Sequence, residues 1–180
     1  VMCFDLAGNS ASDTQTGIKI DKTAPSISFV NRTMPNAAGW NNTGVTVNWN
    51  CSDVLSGTVS STAVQILSSE GLNQSATGTC TDNAGNTVQN TQSGISIDTT
   101  APTLAPVVMP NPILRGGSAT ASANAADTLS GIASQSCDAV NTSMFGSFSV
   151  NCTATDNAGN TATVPAGYRV IYNFTGLFQP

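Results

Sequence analysis

The sequence predicts an all-β protein of tandem β-sandwich domains. Three observations carry this. Charged residues make up only 8% of the 180, and histidine is absent. Thr, Val, Ser, Asn and Gly abound, while the helix formers Glu, Lys, Gln and Arg are scarce, which favours strands and turns. Apolar and polar residues alternate in short runs, the period of a strand with one buried face. One turn is also spelled three times, as FDLAGN at 4–9, TDNAGN at 81–86 and TDNAGN at 155–160.

The copies are the marks of a repeat. GIKIDKTAP (17–25) returns as GISIDTTAP (94–102), 77 residues on, the same offset as from Asp5 to Asp82. CSDVLSG (51–57) matches AADTLSG (125–131) at an offset of 74. The boundaries that follow are 22–98 and 99–175 for two whole domains. Residues 1–21 read as the C-terminal hairpin of a preceding, truncated domain, and 176–180 as the start of a linker to a following module. A unit of this length is too long for one blade or solenoid turn, so each is expected to be a small domain.

Taken in order, the elements are strands and hairpins. Val45, Val47, Trp49 and Cys51 alternate with Thr46, Asn48 and Asn50. Ala76, Gly78 and Cys80 alternate with Thr77, Thr79 and Thr81. In the second unit Ala119, Ala121, Ala123 and Ala125 share one face, as do Phe148, Val150, Cys152 and Ala154. Asn-Ala-Gly-Asn between two strands is a hairpin turn in which Gly supplies positive φ. The all-Ala face is a thin core, expected to be filled from the facing sheet by Ile132, Phe145, Phe148 and Tyr168.

Composition also excludes functions. The net charge is −5 with five Lys and Arg in all, too few cations to neutralise a phosphate backbone, so no nucleic acid is expected. No apolar run reaches the ~18 residues of a membrane span. Without histidine there is no Ser-His-Asp arrangement. No catalytic residues are expected.

IDTTAP, SDVLSG and TDNAGN, in that order and repeated, resemble the bacterial immunoglobulin-like repeats (HYR-like type) of large secreted and cell-surface proteins. The resemblance covers nearly the whole chain. The closing AGYRVIYNFTGLFQP is similar to the stretch that precedes PxKF-type modules. The resemblance implies tandem immunoglobulin-like sandwiches used as stalks, spacers or adhesin bodies, extracellular or on a bacterial cell surface. Trp49 departs from the antibody pattern, because it lies on the strand before the first Asp turn.

Five cysteines leave one over. Cys51 and Cys80 fall on buried faces. As second and sixth strands of a sandwich they would face each other between sheets, closing a loop of about 30 residues for roughly 3–4 kcal/mol. Ala125 stands where Cys51 has its match, so Cys152 is expected to pair with Cys137 on a neighbouring strand, for ~3 kcal/mol. Cys3 has no expected partner within the chain. It pairs upstream, between molecules, or stays a free thiol. Bridges of this kind imply an oxidising compartment.

Six aspartates sit at repeat positions. In an immunoglobulin-like sandwich the linker enters at the end that carries the B–C and F–G loops. Asp21, Asp53 and Asp82 are therefore expected to meet at one junction, and Asp98, Asp127 and Asp156 at the next. Three carboxylates without a cation repel. Lys22 could relieve the first set, but Thr99 cannot relieve the second. Calcium, a hard cation with oxygen ligands, resolves the repulsion, with Asn83 and Asn157 as possible helpers. The resemblance implies calcium at such sites too. The same aspartates could instead only cap their own turns.

Trp40 is expected in an exposed loop, either as a contact for a sugar or as a cover for the sandwich edge. The functional expectation is a non-catalytic structural stalk whose partners are the neighbouring domains of its own chain. Two alternatives stand beside it. One is an adhesive or carbohydrate-binding module. The other is a filament subunit that pairs its N-terminal hairpin with other copies by strand exchange.

Overall fold

The computed structural model describes residues 1–172; the expectations for 176–180 and for the last residues of the second unit lie outside them. No helix occurs among the described residues, and so none is long and apolar enough to cross a membrane.

The chain opens with a hairpin of β1 (Met2–Phe4) and β2 (Ser10–Ser12), paired antiparallel from Met2–Ser12 to Phe4–Ser10. Residues 1–20 are all exposed, including Phe4, Leu6, Ile18 and Ile20. Gly8 in its turn has φ +79°, a conformation other residues adopt only under strain.

The first unit holds six strands. They are β3 (Ser26–Arg32), β4 (Val45–Ser52), β5 (Thr58–Ser61), β6 (Val64–Leu67), β7 (Gly71–Asp82) and β8 (Thr87–Ile97). One sheet runs β3-β4-β6 and the other β5-β7-β8. Period-two alternation sends Val45, Val47 and Trp49 inward from one sheet, to meet Ala76, Ile95 and Ile97 from the other. Ile27 and Leu67 close the core at its margin. Cys51 and Cys80 join the two sheets, with Cα atoms 6.0 Å apart. They lie on the second and fifth strands of the unit, not the second and sixth.

The second unit uses β9 (Thr103–Leu104), β10 (Val107–Met109), β11 (Ile113–Leu114), β12 (Thr120–Ser122), β13 (Ala125–Ala126), β14 (Ile132–Cys137), β15 (Gly146–Asp156) and β16 (Thr161–Ile171). Its larger sheet runs β11-β16-β15-β14, with β11 parallel to β16. The facing layer is the pair of short ladders β9–β13 and β10–β12. Pro106 stands between β9 and β10, and a proline has no N–H to donate to a ladder. Asn124, with φ +46°, breaks the partner strand opposite and donates to Ala105 O at 3.1 Å.

The core of the second unit is Val108, Ile113, Ala123, Val150, Cys152, Ala166, Tyr168 and Val170. Tyr168 keeps its hydroxyl satisfied by donating to Asn141 O at 3.0 Å and accepting from Asn141 N at 3.1 Å. The other expected fillers are not in this core. Phe145 is 59% and Phe148 37% exposed, and Ile132 is only half-buried. β14 pairs with β15 only from Cys152 to Asp156, so the Phe148 end of β15 has no strand on that side. Phe145 precedes the strand altogether.

What fills the thin core instead is a disulfide. In the first unit the Trp49 indole lies over Gly78, where an added Cβ would stand 2.5 Å from Trp49 Cδ2. At the offset of 74, Trp49 becomes Ala123, Gly78 becomes Cys152 and Ala63 becomes Cys137. Cys137 and Cys152 are directly opposed on β14 and β15, with Cα atoms 4.0 Å apart, and both pack in the core around Ala123. Bridge and indole occupy matching places. The cross-sheet bridge of the first unit is in turn replaced by Ala125 and Ala154, at the same offset.

Candidate metal centres

Each of the three repeated turns is first of all its own cap. Asp5 Oδ1 accepts from the backbone of Ala7 and Asn9, each at 2.9 Å, and Oδ2 accepts from Asn9 Nδ2 at 2.8 Å. Asp82 repeats this with Ala84 N, Asn86 N and Asn86 Nδ2 at 2.9, 2.8 and 2.7 Å. Asp156 does so with Gly159 N, Asn160 N and Asn160 Nδ2 at 2.7, 2.8 and 2.8 Å. Asp53 and Asp127 cap the preceding turn through one oxygen only. Asp53 Oδ1 takes Leu55 N, Ser56 N and Gly57 N, and Asp127 Oδ1 takes Leu129 N and Gly131 N. Turn capping is thus a fact of the fold: it engages both oxygens of Asp82 and Asp156 and leaves Oδ2 open on Asp53 and Asp127.

The carboxylates converge at the junctions. Asp21, Asp53 and Asp82 bring one carboxylate oxygen each to within 4.8 Å of one another, and so do Asp98, Asp127 and Asp156. The first set joins the residue that closes the N-terminal segment to two turns of the first unit. The second joins the residue after β8 to two turns of the second unit. Asp82, Asp98 and Asp156 are buried, and Asp21, Asp53 and Asp127 half-buried. Asp98 itself bridges, Oδ1 accepting from Thr100 N and Oδ2 from Ser130 N, both at 3.1 Å.

At Asp82 the local hydrogen bonds favour the ionised carboxylate. Burial pushes Asp82 upward, but the Asn86 side chain and the N–H groups of Asn86, Ala84 and Gly85 outweigh it and hold the carboxyl below its ordinary value. Lys22 is exposed, and Arg32 and Arg115 donate to the carbonyls of Ser93 and Ser143, away from both clusters.

The donor set fits a hard cation. Asp21 Oδ2 is buried without a hydrogen-bond partner. No hydrogen bond occupies Asp53 Oδ2 or Asp127 Oδ2 among the described residues. Oxygen ligands with neither imidazole nor thiolate suit calcium and exclude a zinc site of ordinary composition. Such an ion would offset two of the triad's three negative charges and tie linker to turns.

Asn83 and Asn157 link the two turns of each unit through their side-chain N–H groups. Their amides donate to the neighbouring turn, Asn83 Nδ2 to Ser56 O at 2.6 Å and Asn157 Nδ2 to Ser130 O at 2.7 Å. They tie the two Asp turns of a unit together. The residues that sequence reasoning passed over are the last asparagines of the motif. Asn86 Nδ2 donates to Asp21 O and Thr23 O, both at 3.2 Å, and Asn160 Nδ2 to Asp98 O at 2.9 Å. Their recurrence at the end of each TDNAGN was the available signal.

Trp40 is half-buried rather than exposed, in a turn capped by Asn36 Oδ1 on Ala38 N and Trp40 N. The aromatic pairs among the described residues, Phe145–Tyr172 and Phe148–Tyr168, lie in the second unit, so no second ring extends a platform there. Cys3 is exposed and free. An open cleft of about 760 Å³ beside the first triad is lined in part by Ile18, Ile20, Leu55 and Asn83.

No protein-family model and no curated protein sequence matches this chain.

Proposed function

We propose that the chain is a run of tandem immunoglobulin-like domains serving as a non-catalytic stalk or spacer of an extracellular or cell-surface protein, with calcium at its domain junctions. The observation that carries the reading is the duplicated Asp triad, found at successive junctions and nowhere else among the described residues. The strand order supports the domain type. The first, second and fourth strands of the first unit share one sheet and the third, fifth and sixth the other, the division of an immunoglobulin-like sandwich. Two disulfides support an oxidising compartment. A carboxyl held low, as Asp82 is, suits a metal ligand and is the opposite of what a general acid needs.

The test is calorimetric titration of chelator-stripped protein with calcium chloride. Saturable binding at two sites, abolished site by site in Asp53→Ala and Asp127→Ala, is the expected result. Heats equal to dilution would remove calcium and return all six aspartates to turn capping.

One observation favours a second reading, the filament. The N-terminal segment exposes Phe4, Leu6, Ile18 and Ile20, apolar side chains of the kind that strand exchange between copies would cover. Sedimentation over a range of concentrations tests it: a monomer at every concentration argues against the filament.

A further inference from the structure

We infer that the joint between the two units is rigid without any cation, held by Asn160, Glu70 and Asn36 as positioning residues. The linker Asp98-Thr99-Thr100 is gripped from both sides. From the second unit, Asn160 Nδ2 donates to Asp98 O at 2.9 Å and to Thr100 O at 3.4 Å. From the first, Glu70 Oε1 accepts from Thr99 N at 2.9 Å, Thr99 Oγ1 at 2.5 Å and Thr100 Oγ1 at 2.7 Å.

A third contact bypasses the linker. Asn36 Nδ2, in the loop between β3 and β4, donates to Asn157 O at 2.8 Å, across 121 positions of sequence. In the same place the Asn42 amide lies 3.8 Å from where a Cβ on Gly159 would stand. The first unit therefore touches the Asp turn of the second directly. A linker held at one point lets a domain swivel. Held on two flanks, with a lateral contact outside the linker, it cannot turn without breaking a hydrogen bond.

At the earlier junction Asn86 makes the same grip on Asp21 O and Thr23 O. Glu70 is the only glutamate of the chain, and Met144 takes its place at the repeat offset of 74. None of the three grips at the 98–100 joint passes through a metal. The inference stands apart from the calcium reading.

The experiment is measurement of residual dipolar couplings on the whole 180-residue protein in EDTA. One alignment tensor is expected to fit the amides of both units. In Glu70→Ala/Asn36→Ser/Asn160→Ala the couplings should separate into two unequal tensors, while each unit keeps its chemical shifts. If that triple variant does not fold, Glu70→Ala/Asn36→Ser, confined to exposed residues, serves in its place. Two tensors in the unmutated protein in EDTA would overturn the inference. So would a single tensor that survives in the folded variant. A joint that becomes one body only when calcium is added would overturn it too, while leaving the calcium reading intact.

Discussion

Asp127→Asn separates the two uses of the junction aspartates. The backbone groups that Asp127 caps, Leu129 N and Gly131 N, both reach Oδ1, and so does Ser130 Oγ. Asparagine keeps that oxygen and replaces the open Oδ2 by an amide nitrogen, so the turn is preserved and one charge is removed. Asp127 brings an oxygen within 4.8 Å of those of Asp98 and Asp156. At that separation, and with an effective dielectric of about 20, each like-charge pair costs roughly 3 kcal/mol, before discounting for a half-buried partner. A net relief of ~1 kcal/mol is the conservative expectation. For a domain of this size it raises Tm by about 4–8 °C. Calcium at a hundredfold excess over Kd adds about 2.7 kcal/mol to the unmutated protein. Melting should therefore show a crossover: the variant melts above the unmutated protein in EDTA, and below it in calcium. An unmutated protein indifferent to calcium, together with a variant no more stable in EDTA, would refute the argument. The carboxylates would then be solvated caps.

Other expectations follow from the core and the turns. Gly78→Ala puts a Cβ against the Trp49 ring and should destabilise the first unit by about 1–3 kcal/mol, whereas Gly167→Ala meets open space and should be neutral or slightly stabilising; urea midpoints compare them. Replacing Cys137 and Cys152 together by Ala removes both a cross-link and a core filler, so a loss of at least ~3 kcal/mol is expected in the unfolding of the second unit, with the first unchanged. The folded-state pKa values of Asp82 and Glu70 lie below their ordinary ones, Glu70 because the side chains of Thr99 and Thr100 and the Thr99 N–H bond its carboxylate. Their contribution is therefore complete above the unfolded values and is lost as pH falls through the folded ones, so the urea midpoint should be flat from 7 down to about pH 5 and fall below that. A midpoint unchanged down to pH 3 would contradict that sign.

Much of this protein is local and was legible as such. The alternation of Val45, Val47 and Trp49 with Thr46 and Asn48 assigns a strand and its inner face, because side-chain direction in a strand repeats every two residues. The recurrence of TDNAGN marks a hairpin wherever it occurs, because Asp caps and Gly turns the same few bonds each time. Burial on the second unit's far strands was not local. Phe148 has the right period and is still 37% exposed, at a place the neighbouring strand does not reach. The indole of one unit and the disulfide of the other fill matching space, which no single strand reveals; it takes the facing sheet to show that Ala123, Cys137 and Cys152 share one volume. The same holds at the junctions. Sequence by itself determined which aspartates recur. Only tertiary structure decided that Asp21, Asp53 and Asp127 each keep an oxygen without a hydrogen bond beside the other carboxylates, and that Asn160, Glu70 and Asn36 reach the neighbouring unit, because those distances depend on how separate loops are set against each other and on nothing within any one of them.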